Sequence, residues 1–357
     1  MPHYLLIFSR FFLIFVIISF FIDQYLRSQG HNGPVTDHFN GKRFHNTIEF
    51  VSLSEKKSDK SFKGFSFLIH KLIYTHWKKR ALPYGSNKPI DRVYGAEIVV
   101  TFVNHATMLI QTEGLNILTD PVWSYRVSPF QFLGPARYMD PGIALEDLPP
   151  IDVVLLSHNH YDHLDIKALK RITQRDSSQI VTTLGNKKYL ASRKILRVTE
   201  LDWGETHEIS KDVTVDCTPA QHFSARALSD RNNTLWAGFV LRTPHGNIYF
   251  AADTGYGPFI SKIQKAYPEG FRLAFLPIGA YEPRWFMHVV HMGPDDSLLM
   301  YKDLKVSQAI AIHLGTFDLG IDGQDVPANH LKKLLKEPRH ADVNFTVLQN
   351  GETVHIM

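Results

Sequence analysis

The sequence predicts an α/β layered fold in which sheets are covered by helices. From about residue 92 onward, short apolar segments bounded by turn residues alternate with segments of helical periodicity. The chain has 357 residues, of which 44% are hydrophobic, so it can bury a large core. The sequence contains no internal repeat that we can identify. These observations together indicate sheets packed against helices.

The individual elements follow from the same patterns. Ten segments have the composition of short strands: Glu97–Phe102, Thr107–Gln111, Asn116–Thr119, Val153–Ser157, Val213–Thr218, Trp236–Arg242, Asn247–Ala252, Leu273–Ile278, Gln308–His313 and Asn344–Leu348. Four segments have helical periodicity: Ile166–Gln174, Pro258–Tyr267, Pro294–Leu304 and Pro327–Lys336. Residues 120–150 contain six prolines and few apolar runs, so we predict a long loop there, and such loops are often functional.

The N-terminus differs from the rest of the chain. Tyr4–Ile22 is a run of 19 residues interrupted only by Ser9, Arg10 and Ser19. Such a run can cross a bilayer core of ~30 Å as a helix, and no small-residue cleavage site follows it. The sequence therefore favours an uncleaved transmembrane signal-anchor at residues 1–25 over a cleaved signal peptide. The layout favours a bacterial inner membrane, and the basic residues after the span weakly favour a cytoplasmic catalytic portion.

Residues 26–90 are predicted to be a linker that contains a basic amphipathic helix at residues 61–80. Apolar residues recur there at helical spacing among lysines and Arg80: Phe65, Leu68, Ile69, Leu72 and Ile73. The helix could pack on the globular body or rest on a membrane surface, and the sequence leaves both alternatives open. Residues 91–357 are then the main domain.

Composition excludes some functions. The formal net charge is +4, and the basic residues are scattered rather than massed on one stretch. This argues against nucleic acid as the main partner, whereas an anionic surface or substrate remains compatible. The chain has a single cysteine, Cys217, so it can form no intrachain disulfide.

The strongest chemical signal is the stretch DVVLLSHNHYDHLD at residues 152–165. A buried strand ends there and is followed at once by His158, His160, Asp162 and His163. Imidazole nitrogens and carboxylate oxygens suit zinc and similar divalent ions. The first two histidines can converge on one ion, while Asp162 and His163 turn toward a second.

One loop cannot complete two metal shells, so further ligands are expected downstream. His222, Asp253 and His313 each follow a predicted strand. We therefore predict that His158, His160 and His222 hold one metal. Asp162, His163 and His313 would hold the other, with Asp253 bridging the two.

These motifs resemble the metallo-β-lactamase superfamily. The segments NHATMLI, LTDPVWSYRVSPFQFLGPARY, DTGYGP and PIGAYEPRWFM further resemble the N-acylphosphatidylethanolamine-hydrolysing phospholipase D family, across about residues 95–320. The resemblance implies a four-layer αβ/βα sandwich with the metal site at the sheet edges. Ala252 stands where the family usually has Gly, Leu314 stands where Trp is common in its animal members, and the first 90 residues match little.

The resemblance implies a zinc-dependent phospholipase D. Two Zn²⁺ ions would lower the pKa of a shared water, and the resulting hydroxide would attack the phosphodiester of an N-acylphosphatidylethanolamine-like lipid. The products would be phosphatidic acid and an N-acylethanolamine. Partners would be the phospholipid substrate and the membrane, and a homodimer is left open.

Further residues receive roles around this centre. Asp162 and Asp253 are expected to be catalytic as well as ligating. His291 resembles a family histidine placed near the metals, and it would either protonate or orient the leaving group. Tyr161 would contact a phosphate oxygen or pack, and Asp165 would hydrogen-bond a ligating imidazole or cap a helix. His105 and His288 are assigned to structure. Substrate-binding candidates are Gln131, Tyr281, Trp285 and Phe286.

Two other functions are compatible with the sequence. The same dimetal centre could hydrolyse a lactone, an amide or a nucleotide phosphodiester, because fold alone does not select the bond. A non-catalytic membrane-tethered scaffold is the other alternative, although all seven ligands are present.

Overall fold

The computed structural model describes residues 3–46, 77–81 and 88–357. The amphipathic helix predicted at residues 61–80 lies outside the described residues, except for its last four positions.

The described part contains two mixed sheets of seven strands each. The strands are β1 Ile98–Asn104, β2 Thr107–Thr112, β3 Leu115–Thr119, β4 Val153–Leu156, β5 Gln179–Thr183, β6 Val198–Leu201, β7 Thr206–Glu208, β8 Thr214–Thr218, β9 Gly238–Thr243, β10 Gly246–Phe250, β11 Leu273–Pro277, β12 Ala309–Ile312, β13 Phe345–Thr346 and β14 Thr353–Ile356. The α-helices are α1 His3–Leu26, α2 Ile166–Asp176, α3 Lys187–Ser192, α4 Phe259–Ala266, α5 Arg284–Met287, α6 Pro294–Asp303 and α7 Val326–Leu334.

The two sheets have related topologies. The first has the order β14-β1-β2-β3-β4-β5-β6, and the second has the order β13-β12-β11-β10-β9-β8-β7. In the first sheet β3 to β6 are parallel, and in the second β10 to β13 are parallel. Because β8 and β10 are both antiparallel to β9, they run in the same direction. The carboxyl ends of β8, β10 and β12 therefore meet at one edge of the second sheet.

Strand β4 shows why the fold is layered. Val153 and Leu155 belong to a core that includes residues of the second sheet, whereas Val154 and Leu156 pack with residues of α2 and α3. Successive side chains of a strand point to opposite faces, so an apolar strand must be covered on both sides. Helix α6 in turn contacts β11, so the layers are helix, sheet, sheet and helix. The predicted α/β sandwich is confirmed.

All ten predicted strands and all four predicted helices correspond to elements of the structure. The long loop at residues 120–150 contains only one short 3₁₀ helix, Leu145–Asp147. Four strands escaped prediction: β5, β6, β7 and β14. Strands β7 and β14 are edge strands and carry exposed polar residues, so alternation of apolar and polar residues is weak in them.

The predicted membrane anchor is wrong. None of the helices in the described residues is both long enough and apolar enough to cross a bilayer. Helix α1 has only twelve residues between Arg10 and Asp23, and these rise by about 18 Å, which is less than the ~30 Å of a bilayer core. The prediction of a membrane-spanning helix at residues 1–25 is therefore withdrawn. The prediction that the protein is anchored in a bacterial inner membrane is withdrawn with it.

The described part of the predicted linker packs on the globular body. Phe39 and Phe44 are buried in a cluster with Trp236. The backbone N–H and the hydroxyl of Ser28 both donate to Asp230, at 2.7 and 2.9 Å. Residues 28–46 therefore form a segment that lies against the body near the second sheet.

The core position Leu155 gives a test of this architecture. Leu155 is fully buried between the sheets, so replacing it by Ala removes apolar contacts and leaves a cavity. We expect Leu155→Ala to lower the free energy of unfolding by about 2–5 kcal/mol, measured by urea denaturation. Leu196→Ala is the matched control, because Leu196 is mostly exposed. Equal effects of the two substitutions would contradict the assigned position of β4.

Candidate metal centre

The candidate centre lies where strands of both sheets end. Ser157 and His158 follow β4 directly, and Asp120 follows the neighbouring parallel strand β3. In the second sheet, Asp253 follows β10 and His313 follows β12. The carboxyl ends of parallel strands meet at one edge, so residues far apart in sequence converge there.

Three imidazoles form the first group of donors. His160 Nδ1 lies 2.9 Å from His158 Nε2 and 3.2 Å from His222 Nε2. The three nitrogens all lie within 4.8 Å of one another. A single cation can therefore contact all three after small movements of the rings.

The second group combines a carboxylate with two imidazoles. Asp162 Oδ2 lies 3.4 Å from Nε2 of both His163 and His313. Asp253 Oδ2 lies 3.2 and 3.1 Å from these same two nitrogens, and 3.6 Å from His222 Nε2. Asp253 is thus the residue that contacts both groups.

The donor atoms suit divalent metal ions. His163 Nε2, His313 Nε2 and Asp253 Oδ1 are buried, and none of them has a hydrogen-bond partner among the described residues. Buried polar atoms without partners are rare and need an explanation. Imidazole nitrogens and carboxylate oxygens that face each other closely without hydrogen-bonding are the arrangement a bound cation would satisfy. The centre fits divalent metal.

The protonation states of His160, His222 and the carboxylates agree with this fit. Burial lowers the pKa of His222 to about 3 and that of His160 to about 4, so both rings are neutral near pH 7 and offer lone pairs. Burial would raise the pKa of Asp253, but the charges of His163 and His313 hold it well below its usual range. For His313, burial opposes protonation, yet the attraction of Asp253 raises the pKa to about 9. The carboxylates are therefore ionised and strongly attract positive charge.

Asp120 orients one imidazole from each group, a role that the sequence did not predict. Its Oδ2 accepts hydrogen bonds from His163 Nδ1 at 2.7 Å and from the Ser157 hydroxyl at 2.6 Å. Ser157 Oγ lies 2.9 Å from His158 Nδ1, and since its proton goes to Asp120 it must accept from that ring. When neutral, both histidines then keep an Nε2 lone pair for a metal. The motif LTDP at the end of β3 was the available signal.

Asn46 fixes the backbone of a third ligand. Its amide Nδ2 donates to the carbonyl of His222 at 3.0 Å, and the backbone N–H of His222 donates to Asn46 Oδ1 at 3.1 Å. Trp236 Nε1 also donates to Asn46 Oδ1, at 3.2 Å. The N-terminal segment 28–46 therefore reaches the metal centre, which its polar composition did not indicate.

His105, which the sequence assigned to structure, belongs to the centre. Its Nε2 lies 3.1 Å from Asp162 Oδ2, and its ring centroid lies 4.1 Å from that of His313. His105, which follows β1 directly, therefore helps to orient Asp162. His288, which follows α5 directly, is exposed, and its Nδ1 lies 2.6 Å from the carbonyl of Arg284.

The backbone is unusual at several of these positions. His105, Asp120, Ala252 and His313 have φ angles of 51°, 31°, 51° and 60°. Positive φ in a non-glycine residue costs about 1–3 kcal/mol and persists where the surroundings impose it. The left-handed backbone at Ala252 explains why glycine suits this position in the resembling family.

The structure brings His291 and Phe286 to the centre. His291 Nδ1 lies 3.8 Å from Asp253 Oδ2 and has no hydrogen-bond partner among the described residues. A cavity of about 310 Å³ opens beside the donors. It is lined by His160, Asp162, Asp253, His291, Phe223, Phe286, Met287, Val290, Leu319 and Arg231.

Four other predicted residues lie elsewhere or act differently. Tyr161 donates its hydroxyl to the carbonyl of Arg226 at 2.9 Å, and with Gln131 it lines a second cavity. Asp165 caps α2 by accepting from the backbone N–H of Lys167, so its helix-capping alternative is the one observed. Tyr281 is buried.

Trp285 is about half exposed, and its ring centroid lies 5.7 Å from that of Phe286. Since Phe286 lines the cavity, Trp285 lies next to one of its wall residues.

Comparison with known proteins agrees with this geometry. The Beta-lactamase superfamily domain matches residues 115–314, a range that contains all seven predicted ligands. N-acyl-phosphatidylethanolamine-hydrolyzing phospholipase D 1 of Caenorhabditis elegans is 35% identical over 332 residues, covering 88% of this chain and 92% of that protein. The mitochondrial protein of the same activity name from Saccharomyces cerevisiae is 38% identical over 212 residues, covering 58% of this chain and 45% of that protein.

A solved structure shows the same fold. The isothiocyanate hydrolase from Delia radicum gut bacteria matches with a TM-score of 0.58 at 22% identity, over 72% of this chain and 98% of that chain.

Asp120→Asn tests the role of the outer hydrogen bonds. The substitution removes the negative charge that orients His163 and, through Ser157, His158. We expect the affinity for Zn²⁺ to fall by about 10- to 100-fold, measured by competition with a chelator. Asp212→Asn, at an exposed position, is the control. Unchanged affinity in Asp120→Asn would show that Asp120 has no part in orienting the ligands.

Proposed function

We propose that this chain is a phosphodiesterase of the phospholipase D type. The premise is that the chain belongs to the metallo-β-lactamase superfamily and is related to the N-acylphosphatidylethanolamine-hydrolysing phospholipases D. Its substrate in this proposal is an N-acylphosphatidylethanolamine-like lipid, and its products are phosphatidic acid and an N-acylethanolamine. The proposal rests above all on one observation. A cavity with five apolar wall residues opens onto three of the seven predicted ligands, His160, Asp162 and Asp253.

In this proposal the seven predicted ligands hold two divalent metal ions, with Asp253 shared between them. The histidine-rich set favours Zn²⁺. When bound, the ions would supply a nucleophile by lowering the pKa of water and would offset charge on the phosphate oxygens. The protein's own contribution is to fix the donors in place through Asp120, Ser157 and Asn46.

The cavity walls agree with a lipid substrate. Phe223, Phe286, Met287, Val290 and Leu319 offer apolar surface to an acyl chain. Arg231 lines the same cavity, and its guanidinium carbon lies 4.1 Å from the centroid of the Phe223 ring. In the proposal the arginine attracts the phosphate group, while the apolar walls hold the chain.

His291 is the residue best placed to contact the leaving group. Burial lowers the pKa of His291 to about 3, so the ring is neutral near pH 7. A neutral imidazole can donate one N–H to an oxygen but is a poor source of a full proton at this pH. We therefore assign His291 to orienting the leaving oxygen rather than protonating it.

The mouth of the cavity provides a way to reach lipid. Trp285 and Phe286 each expose about half of their side chains there. Aromatic side chains that contact apolar groups on one side and water on the other are favoured at lipid–water interfaces. In this proposal the two rings contact the lipid aggregate from which the substrate enters. The proposal assigns residues 91–357 to the hydrolase domain.

Hydrolysis assays test the substrate class. Purified protein is incubated separately with N-acylphosphatidylethanolamine, phosphatidylethanolamine, an acyl lactone and bis-p-nitrophenyl phosphate, and products are identified by mass spectrometry. We expect phosphatidic acid and N-acylethanolamine from the first substrate, at the highest kcat/KM of the four.

A pair of histidine variants provides the controls for these assays. His313→Ala removes a proposed ligand and should lower kcat/KM by more than about 100-fold. Loss of a residue that hydrogen-bonds a metal ligand typically costs about 10- to 100-fold in activity, and loss of the ligand itself should cost more. His245→Ala changes a partly exposed histidine away from the centre and should leave the rate unchanged. Hydrolysis of the lactone alone, with no phospholipid cleaved, would refute the proposed function.

A further inference from the structure

A second cavity lies beside the loop that carries the predicted metal ligands. It has a volume of about 300 Å³ and is reached by Tyr161 and Leu164 of that loop. The proposed reaction makes no use of it. Five cationic side chains line it: Arg126, Lys167, Lys170, Arg193 and Arg226.

The carboxylates near this cavity are already satisfied. Asp165, which also lines the cavity, accepts from four backbone N–H groups, those of Trp123, Ser124, Lys167 and Ala168. Asp230 accepts from the N–H and hydroxyl of Ser28 and from the N–H groups of Arg226 and Ala227. Among residues 3–46, 77–81 and 88–357, none of the five cations forms an ion pair with a carboxylate. The cavity therefore carries excess positive charge.

Arg226 is held rigidly in the wall of this cavity. It is only 7% exposed, and its Nη1 donates to the carbonyls of Asn159 at 2.8 Å and Leu164 at 3.0 Å. Its guanidinium carbon lies 3.9 Å from the centroid of the Tyr161 ring. Its buried Nε has no hydrogen-bond partner among the described residues. A buried guanidinium with an unused donor and no counter-charge is costly unless an anion completes it.

Arg193 repeats this arrangement on another wall. Its Nη2 donates to the carbonyl of Tyr25 at 2.6 Å, and its guanidinium carbon lies 4.3 Å from the centroid of the Tyr25 ring. Its Nε is also buried without a partner in the described part of the chain. Two guanidinium groups are thus fixed by aromatic rings and carbonyls, and each retains an unpaired donor.

We propose that this cavity binds a phosphate-bearing anion. Guanidinium forks match phosphate oxygens well, and Lys167 and Lys170 add charge without fixed geometry. The excess of cations suits a phosphomonoester dianion better than a single carboxylate. Two sources have this chemistry: free inorganic phosphate and the head group of phosphatidic acid. Only the second source rests on the proposed function, because phosphatidic acid is its product.

Calorimetric titration of the full chain tests this site with both sources. Inorganic phosphate and dihexanoylphosphatidic acid below its micellar concentration are the probes. We expect at least one of them to bind, and Arg193→Gln and Lys170→Gln each to weaken its Kd by about 10-fold or more. Arg197→Gln and Lys188→Gln, which change cations outside the cavity, should leave the Kd unchanged. The two lining variants spare Arg226, whose loss would disturb the ligand loop.

The results separate this site from the metal centre. Phosphate bound only at the metal centre would keep the same Kd in Arg193→Gln and Lys170→Gln, and that result would overturn the proposal. Binding of neither probe would overturn it as well. Binding of inorganic phosphate that is lost in the cavity variants would support the site even if the chain cleaves no phospholipid. Matching behaviour of dihexanoylphosphatidic acid would identify the lipid head group as a ligand.

Discussion

The attraction between buried carboxylates and the imidazoles around them is the constraint on which the rest of this structure depends. Asp253 lies between two groups of donors, within 3.6 Å of His163, His222 and His313. Ionised groups at this depth are stable only when opposite charge faces them. Each donor follows a separate strand or lies in a loop that a strand positions, so both sheets must stay in register for the group to persist. The apolar core between the sheets provides that rigidity.

Support for the centre comes from parts of the chain that are distant in sequence. Asp120 connects His163 and, through Ser157, His158 in one hydrogen-bonded chain, while Asn46 holds the backbone of His222. Such partners fix ring orientation and tautomer, and they leave the lone pairs pointing at the metal position. The left-handed backbone at several of these positions is a local cost that the surrounding packing offsets. The N-terminal segment 28–46 therefore helps to position one of the predicted ligands.

Most of the fold could be predicted from the sequence, because the spacing of apolar residues shows which face of a strand or helix is buried. Strands such as β4, apolar on both faces, were predictable, whereas β7 and β14 are short and polar and have little periodicity. The spacing of His158, His160 and His163 predicted a cluster that the structure contains. Asp120 and Asn46 were not predictable in their roles, because a hydrogen bond to a distant loop leaves no mark on local spacing. The length of the N-terminal apolar run misled, because the prediction extended the run across Arg10, and only twelve residues separate Arg10 from Asp23.

The central claim is that seven side chains hold two metal ions through one shared carboxylate. Elemental analysis of bound metal per chain tests it most directly, on wild-type protein and on Asp253→Asn, with Asp342→Asn as the exposed control. The account predicts two equivalents in the wild type and in the control, and less than one in Asp253→Asn, since both positions lose a ligand. Two equivalents retained by Asp253→Asn, or less than one in active wild-type protein, would contradict it.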